Sequence, residues 1–211
     1  MDVDTARSIA GGLSEPSKMP CRAYSIPANR CITGSRLAEE SPDSHCAHCY
    51  AKRGHYVFKD PRNAMERRFA SLRHPQWVDA MATLIADDDR RHFRWHDSGD
   101  LQGIWHLENI IEVARRLPWV KFWLPTREYR MVEEGRPRQR NLIVRLSGHL
   151  FDTYPIKLAR RLGVLASGSH TKGAKLPEGV FECKAHERGN KCGPCRACWD
   201  PKVLAVSYPK K

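Results

Sequence analysis

Eight cysteines carry the clearest chemical signal in the sequence, and they fall into two groups of four near opposite ends of the chain. The early group has the spacing C-x9-C-x14-C-x2-C, and the late group has the spacing C-x8-C-x2-C-x2-C. Two thiolates separated by two residues can face one metal. The sequence therefore predicts metal–sulfur sites with eight candidate ligands: Cys21, Cys31, Cys46, Cys49, Cys183, Cys192, Cys195 and Cys198.

The late group resembles a cluster-binding run more than a zinc ribbon. Cys192, Cys195 and Cys198 lie within seven residues, and Gly193 and Pro194 force a turn between the first two. Ferredoxins hold a cubane cluster with closely spaced thiolates of this kind, whereas zinc ribbons present two separated C-x2-C pairs. We expect a [4Fe–4S] cluster here, with zinc as the alternative metal that would only pin the C-terminal segment.

The early group is less regular, and its surer ligands are Cys31, Cys46 and Cys49. Cys21 is the weaker candidate because it lies beside Pro20 in a segment without helix or strand periodicity. If Cys21 does not coordinate, one iron of a cluster keeps an open position, which is what lets a metal site bind a substrate. The thiolate count thus allows one cluster or two.

Length and composition indicate one domain, 1–211, in a reducing compartment. A chain of 211 residues can bury a core without disulfide staples. The sequence opens without the basic and apolar regions of a signal peptide, and no stretch reaches the roughly 18 apolar residues of a membrane span. We expect a cytoplasmic protein with no membrane partner, whose reduced thiols bind metal rather than form disulfides.

Positive charge makes nucleic acid a candidate partner. The net charge is +12, and residues 115–161 hold twelve basic residues against four acidic ones. An arginine-rich surface can follow phosphates, although such a face is often only solvated, and no aromatic residues alternate with these arginines at regular spacing.

Periodicity divides the chain into a cysteine-containing N-terminal loop (1–58), a β/α core (59–170) and a cysteine-rich C-terminal segment (171–211). Residues 1–20 are expected to be an irregular arm, because proline and glycine punctuate them. In the core, apolar spacing predicts helices over 61–73, 77–87, 104–117 and 128–134. Short apolar or alternating runs predict strands over 92–96, 120–124, 141–147 and 163–167, with a last strand at 203–206.

Strands that alternate with helices imply a parallel sheet, whose functional loops lie beyond the carboxyl ends of the strands. These strand ends are unusually polar. They give the candidate catalytic residues His96, Asp97, Asp100 and Arg127 and the candidate cofactor-binding residues Ser98, Gly99 and Ser147. The structural alternative is that Asp100 caps the next helix, that Gly99 supplies a turn and that Arg127 pairs with a nearby carboxylate.

Five stretches resemble the phage gene product 88 family. They are Ser17–Pro20, Cys46–Ala51, Phe93–Asp100, Trp123–Tyr129 and Lys191–Trp199. The resemblance implies a phage protein of the host cell cytoplasm with cysteine-ligated metal, and it implies no established reaction.

The chain is also similar, more distantly, to the radical S-adenosylmethionine enzymes, in which a three-cysteine loop precedes a partial β/α barrel. There a glycine-rich turn after the second strand holds the cofactor's amino group, and Asp97–Asp100 has a comparable place here. Those enzymes carry C-x3-C-x2-C, whereas fourteen residues separate Cys31 from Cys46. The resemblance implies a partial or small β/α barrel and makes S-adenosylmethionine a candidate cofactor.

Three functions follow from these observations. An open iron near the polar strand ends would serve an enzyme that acts on a small polar substrate or on S-adenosylmethionine. Purely structural metals with an arginine-rich surface would serve a module that binds nucleic acid or a host protein. Fully ligated clusters would serve electron transfer to a redox partner.

Overall fold

The computed structural model describes residues 1–210 of the chain, which form a mixed α/β protein. Its first five elements are α1 Val3–Ala10, β1 Arg22–Tyr24, α2 Ile32–Glu40, α3 Lys59–Ser71 and α4 Trp77–Asp87. The next five are β2 His92–Trp95, α5 Ile104–Arg116, β3 Lys121–Thr126, α6 Tyr129–Gly135 and β4 Leu142–Ser147. The last four are α7 Ile156–Leu162, β5 Leu165–His170, β6 Val180–Glu182 and β7 Ala205–Pro209.

All seven strands form one parallel sheet in the order β1-β2-β3-β4-β5-β7-β6. The helices α5, α6 and α7 each connect neighbouring strands, as right-handed crossovers do. The predicted α/β class and parallel pairing are therefore confirmed. Within residues 1–210 the outer strands β1 and β6 do not pair with each other, so the sheet is open and closure into a barrel is not observed.

The sheet has two faces of different chemistry, because successive side chains of a strand point to opposite sides. On β3, Phe122 and Leu124 pack into the main apolar core against the helices. Trp123, between them, packs on the other side, which we call the second face, with Cys21 and Trp199. The main core thus lies between the sheet and its helices, while the second face is covered by chain from both ends of the sequence.

The predicted single domain with segment boundaries near 58 and 171 stays a prediction, and the sheet draws strands from both flanking segments. Strand β1 lies within 1–58, and β6 and β7 lie within 171–210; Lys211 is outside the described residues. The strands β1 and β6 have three residues each, too few for alternation to be visible. Only pairing with longer neighbours defines them as strands.

The expected irregular arm and cysteine loop also contain helices. Helix α1 begins at the N-cap Asp2, whose carboxylate accepts from the backbone N of Thr5 at 2.8 Å, and ends at Gly11 with φ 75°. Helix α2 lies between Cys31 and Cys46. Gly11, one of the glycines that suggested irregular chain, marks the end of α1, because glycine readily adopts the left-handed conformation that stops a helix.

Helix α7 was not predicted, since its seven residues are too few to show a clear apolar stripe. The longest helices, α3 and α5, have 13 residues each. No helix within residues 1–210 combines the length and the apolar composition needed to cross a lipid bilayer.

Candidate functional site

The segment that carries Cys31, Cys46 and Cys49, which we call the early cysteine segment, lies over the carboxyl ends of the strands. Hydrogen bonds hold it there. The carboxylate of Glu128, just beyond β3, accepts from the backbone N of Thr33 at 2.8 Å and from its hydroxyl at 2.7 Å. The backbone N of His45 donates to the carbonyl of His149, beyond β4, at 3.0 Å. The segment therefore covers the edge of the sheet where functional loops are expected.

Cys31 and Cys46 approach each other in this segment, and Cys49 lies one turn beyond Cys46. Cys31 is the N-cap of α2, and a turn joins Cys46 to Cys49 through a backbone hydrogen bond of 3.4 Å. A Cβ on Gly34, in the first turn of α2, would lie 3.0 Å from the Cβ of Cys31 and 3.3 Å from the Sγ of Cys46. Any larger residue would intrude between two cysteines, so glycine keeps the space beside them open.

The surroundings of Cys31 and Cys46 oppose the ionisation of these two thiols in the absence of a metal. Burial raises the pKa of Cys31, and the negative charges of Asp100, Cys49 and Cys46 raise it further. Burial also raises the pKa of Cys46, while the guanidinium of Arg127 lowers it. A bound cation would offset the repulsion among three thiolates, since metal binding releases their protons.

The donor chemistry fits a sulfur-ligated metal. All eight cysteines are free thiols, and Cys31 and Cys46 both lie beside Gly34. Within residues 1–210, no three His, Cys, Asp or Glu side chains are already arranged to hold a metal ion. The fit rests on the thiol set and on the approach of Cys31 and Cys46 that Gly34 permits. These three cysteines are the residues that would hold a metal or cluster at the strand ends.

Asp100 connects the ends of β2 and β3. Its Oδ1 accepts from the hydroxyl of Thr126 at 2.6 Å and from the backbone N of Leu101 at 2.8 Å, and its Oδ2 accepts from the backbone N of Arg127 at 2.9 Å. Burial raises the pKa of Asp100 to about 6, although these hydrogen bonds lower it. Gly103, not Asp100, is the N-cap of α5, so the helix-capping alternative is wrong.

Asp97 holds the early cysteine segment in place. Its carboxylate accepts from the hydroxyl of Ser25, beyond β1, and from that of Tyr56 at 3.1 Å. Its carbonyl accepts from the hydroxyl of Tyr50 at 2.5 Å. Because Tyr50 directly follows Cys49, Asp97 positions the chain that carries the thiols, and its catalytic role stays a prediction.

His96 lies among core aromatic residues. It has φ 53°, it is buried, and neither ring nitrogen has a hydrogen-bond partner within residues 1–210. Its ring centroid is 5.3 Å from that of His106 and 6.4 Å from that of Trp95. Burial lowers the pKa of His96 well below its usual value, so the imidazole is neutral.

Ser98 and Gly99 pack against the chain that follows β1. The carbonyl of Ser98 accepts from the backbone N of Ile26 at 3.1 Å. Gly99 has φ 87°, and a Cβ there would lie 2.2 Å from the Cγ1 of Ile26 and 2.9 Å from its carbonyl oxygen. This close approach explains the predicted glycine turn, and cofactor binding by the two residues stays a prediction.

Arg127 and Ser147 lie at neighbouring strand ends. The Nε of Arg127 donates to the carbonyl of Gly148 at 3.2 Å, which links the ends of β3 and β4. The hydroxyl of Ser147, at the end of β4, is 3.1 Å from that of Ser167, within β5. The structure therefore brings Asp100, Arg127 and the early thiols to one edge of the sheet.

The late cysteines lie on the second face, and Cys21 joins them there. Cys21 packs in the apolar cluster whose partly buried members include Cys198 and Met19. The backbone N of Cys192 donates to the carbonyl of Lys18 at 3.0 Å, which fixes the late segment beside the chain that leads to Cys21. The structure therefore separates Cys21, the weaker early candidate, from Cys31, Cys46 and Cys49, and its place among the metal ligands stays a prediction.

Two arginines of the second face were not singled out from the sequence. Arg145 is buried on β4, and Arg94, half-buried on β2, lies with its guanidinium carbon 4.6 Å from the ring centroid of Trp123. Both stand between apolar residues of buried strands, in Phe93-Arg94-Trp95 and Val144-Arg145-Leu146. A lone cation inside an apolar strand is the signal that could have found them.

We expect Glu128→Ala to loosen the early cysteine segment. Glu128 accepts two hydrogen bonds from Thr33 at the start of α2, where a carboxylate also favours the positive end of the helix. Losing them should cost about 2 kcal/mol of the free energy of unfolding and speed amide exchange in α2. Exchange mass spectrometry measures this, with Glu133→Ala, whose partner is the exposed Arg161, as the matched control.

Fold and site define the class of the protein as an α/β protein with an open parallel sheet and cysteine-rich segments on its carboxyl edge and second face. The family model of gene product 88 matches residues 4–201. The chain therefore belongs to the gene product 88 family. No curated protein and no solved structure matches it. The similarity to radical S-adenosylmethionine enzymes stays a prediction.

Proposed function

We propose that this phage-family protein is an iron–sulfur enzyme whose early cysteines hold a [4Fe–4S] cluster at the carboxyl edge of the sheet. Cys31, Cys46 and Cys49 would leave one iron open to a small polar substrate or to S-adenosylmethionine. The observation that carries the proposal is that these thiols lie with Asp100 and Arg127 where parallel sheets place their active sites. A radical-S-adenosylmethionine-like partial barrel is the finer fold proposed with it.

The chain's own residues have definite tasks in this proposal. The cluster supplies an electron or a Lewis-acidic iron when bound. Asp100, with its pKa raised to about 6 by burial, can hold or release a proton near neutral pH. Arg127 offers a cation to an anionic group of the substrate, and its Nε is fixed by the carbonyl of Gly148 at 3.2 Å. Tyr50 and Asp97 hold the cysteine segment over the site.

Anaerobic purification followed by iron, sulfide and zinc analysis tests the cluster. We expect about four irons and four sulfides for each occupied cubane site and a broad absorption band near about 400 nm. Cys31→Ala should lose one such set and should also lose S-adenosylmethionine binding, measured by equilibrium dialysis. Zinc without sulfide, in protein never exposed to oxygen, would overturn the proposal.

Asp100→Asn separates the enzyme from a binding module. The amide keeps the shape of the carboxylate and can still accept from Thr126, so we expect the fold and the iron content to persist while turnover falls at least about 100-fold. Glu133→Gln, on the exposed side of α6, is the control. Full turnover in Asp100→Asn would remove that residue from the proposed chemistry.

The net charge of +12 favours nucleic-acid binding as the second candidate function. If the protein binds nucleic acid, we expect its affinity for DNA or RNA to fall steeply as the salt concentration rises. That affinity should not change in Cys31→Ala or Asp100→Asn. Fluorescence anisotropy with a labelled oligonucleotide, repeated over a salt series, measures both properties.

A further inference from the structure

We propose that Cys21 is a ligand of a second metal–thiolate centre on the second face of the sheet, shared with the late cysteines and neutralised by Arg94 and Arg145. This inference deepens the proposed function, on which it rests for the kind of cluster chemistry. In this assignment Cys21 does not belong to the early site. The three early thiols would then leave one iron of a bound cluster with an open position.

Cys21 packs on the second face together with residues of the late cysteine segment. Cys21 is completely buried, and its cluster contains Trp123 and Trp199, with Cys198 and Tyr208 packed against it. The hydroxyl of Tyr208 lies 3.3 Å from the Sγ of Cys198. One enclosed region beside the sheet therefore contains thiols from opposite ends of the chain.

The other late thiols reach the same region. The hydrogen bond from Cys192 to the carbonyl of Lys18 ties their segment to the chain before Cys21. The backbone N of Cys195 donates to the carbonyl of Cys192 at 3.2 Å, so these two thiols share one turn. The backbone N of Cys183 donates to the carbonyl of Ser207, next to Tyr208, at 2.8 Å. These contacts place the late segment beside the region that contains Cys21 and Cys198.

Arg94 and Arg145 also indicate an anionic group in this region, because a buried cation is costly without a negative partner. All five hydrogen bonds of Arg145 go to backbone carbonyls, at 2.9 to 3.1 Å. Arg94 donates to the Sδ of Met19 at 3.2 Å and to the hydroxyl of Tyr50 at 3.4 Å, and its Nε has no partner within residues 1–210.

Neither guanidinium donates to a carboxylate in these hydrogen bonds, although the negative charge of Asp97 acts to raise the pKa of Arg94 and that of Asp200 acts to raise the pKa of Arg145. Arg145 donates to the carbonyl of Cys198 itself at 3.1 Å, and Met19, the partner of Arg94, packs against the apolar cluster of Cys21. A cluster with its four thiolates is anionic, so it would add negative charge beside both cations. A buried cysteine that served only packing would need no such cations.

A cubane cluster takes four thiolates, whereas five are present, so one is dispensable. The complete burial of Cys21 and its packing in the same cluster as Cys198 favour it as a ligand, so the dispensable thiol would be one of the late four. The Arg94 side chain also links this region to the early segment through Tyr50.

Alanine variants, alone and in pairs, test the assignment in anaerobically reconstituted full-length protein. We expect Cys21→Ala to lose about four irons and four sulfides, the same loss as in Cys198→Ala, and the pair Cys21→Ala with Cys198→Ala to lose no more than either. Combined with Cys31→Ala, the losses should add. Full metal content in Cys21→Ala would overturn the proposal. So would an iron loss in Cys21→Ala that adds to the loss in Cys198→Ala but not to the loss in Cys31→Ala.

A second readout covers a variant that fails to fold. Cys21→Ser preserves the size of the side chain, and we expect it to change the same electron paramagnetic resonance signal of the reduced protein that Cys198→Ala removes. An unchanged signal would again contradict the assignment. If Cys31→Ala keeps all its iron, the proposed function fails while the second centre stands. If Cys21→Ala keeps all its iron and Cys31→Ala does not, the second centre fails while the proposed function stands.

Discussion

Replacing Arg145 with methionine is expected to lower the free energy of unfolding by at least about 3 kcal/mol. The guanidinium binds the carbonyls of Ala166, Ala197, Cys198, Asp200 and Val203, and so fastens the late cysteine segment to the sheet. Methionine fills much of the same volume but donates no hydrogen bond. Five buried carbonyls losing their donor outweigh the relief of removing one buried charge. Urea unfolding at neutral pH measures the loss.

Two controls make that result specific. Arg140 is exposed, and Arg140→Met should leave stability within about 0.5 kcal/mol of the wild type. Arg145→Lys retains the charge but has three donors for five carbonyls, so we expect an intermediate loss. The Cys198 thiol should also be alkylated faster in Arg145→Met. Equal stability of Arg145→Met and wild type would mean that the late segment is held by other contacts.

Acid is expected to destabilise the fold below about pH 6.5 through two buried histidines. Burial lowers the pKa of His106 from 6.5 to about 3 and lowers that of His96 well below 6.5. The unfolded chain therefore binds protons between those values that the folded chain does not bind, so stability is full above the unfolded pKa and falls as pH falls. At about pH 5 the loss should be about 2 kcal/mol for each histidine.

The variant His106→Phe tests the contribution of one ring. Phenylalanine keeps the aromatic contacts with Trp77 and Trp105 and removes the titrating group, at the cost of the 3.3 Å hydrogen bond from Gln102. We expect the loss of stability between about pH 7 and pH 5 to shrink by about 2 kcal/mol. His74→Phe, which places the same ring at an exposed position, is the matched control for the substitution itself.

Much of the fold could be predicted from local pattern, because the central elements are long and strongly periodic. The helices α4 and α5 and the strands β2 to β5 lie where apolar spacing predicted them, within a few residues. The strands β1 and β6, with three residues each, could not be found this way. Their backbone groups join the sheet only because longer neighbours are already in place, which is a tertiary effect.

Part of the candidate site was visible in the sequence as well. Polar residues at strand ends gave Asp100 and Arg127, since parallel strands direct their carboxyl ends to one edge. The functions of Glu128 and Tyr50 in holding the cysteine segment depend on contacts with Thr33 and Asp97, far away in the chain. No local sequence pattern predicts such long-range contacts.

The sequence by itself determined the class of fold, the parallel sheet, the chemistry of the thiols and the family, because these follow from periodicity, spacing and motif. Only the tertiary structure decided which thiols stand together. Cys21 and Cys31 are close in sequence, yet Cys21 precedes β1 and packs on the second face, whereas Cys31 follows β1 at its carboxyl end. A strand carries the chain from the amino edge of the sheet to its carboxyl edge, so cysteines before and after β1 lie at opposite ends of the strand and meet different neighbours.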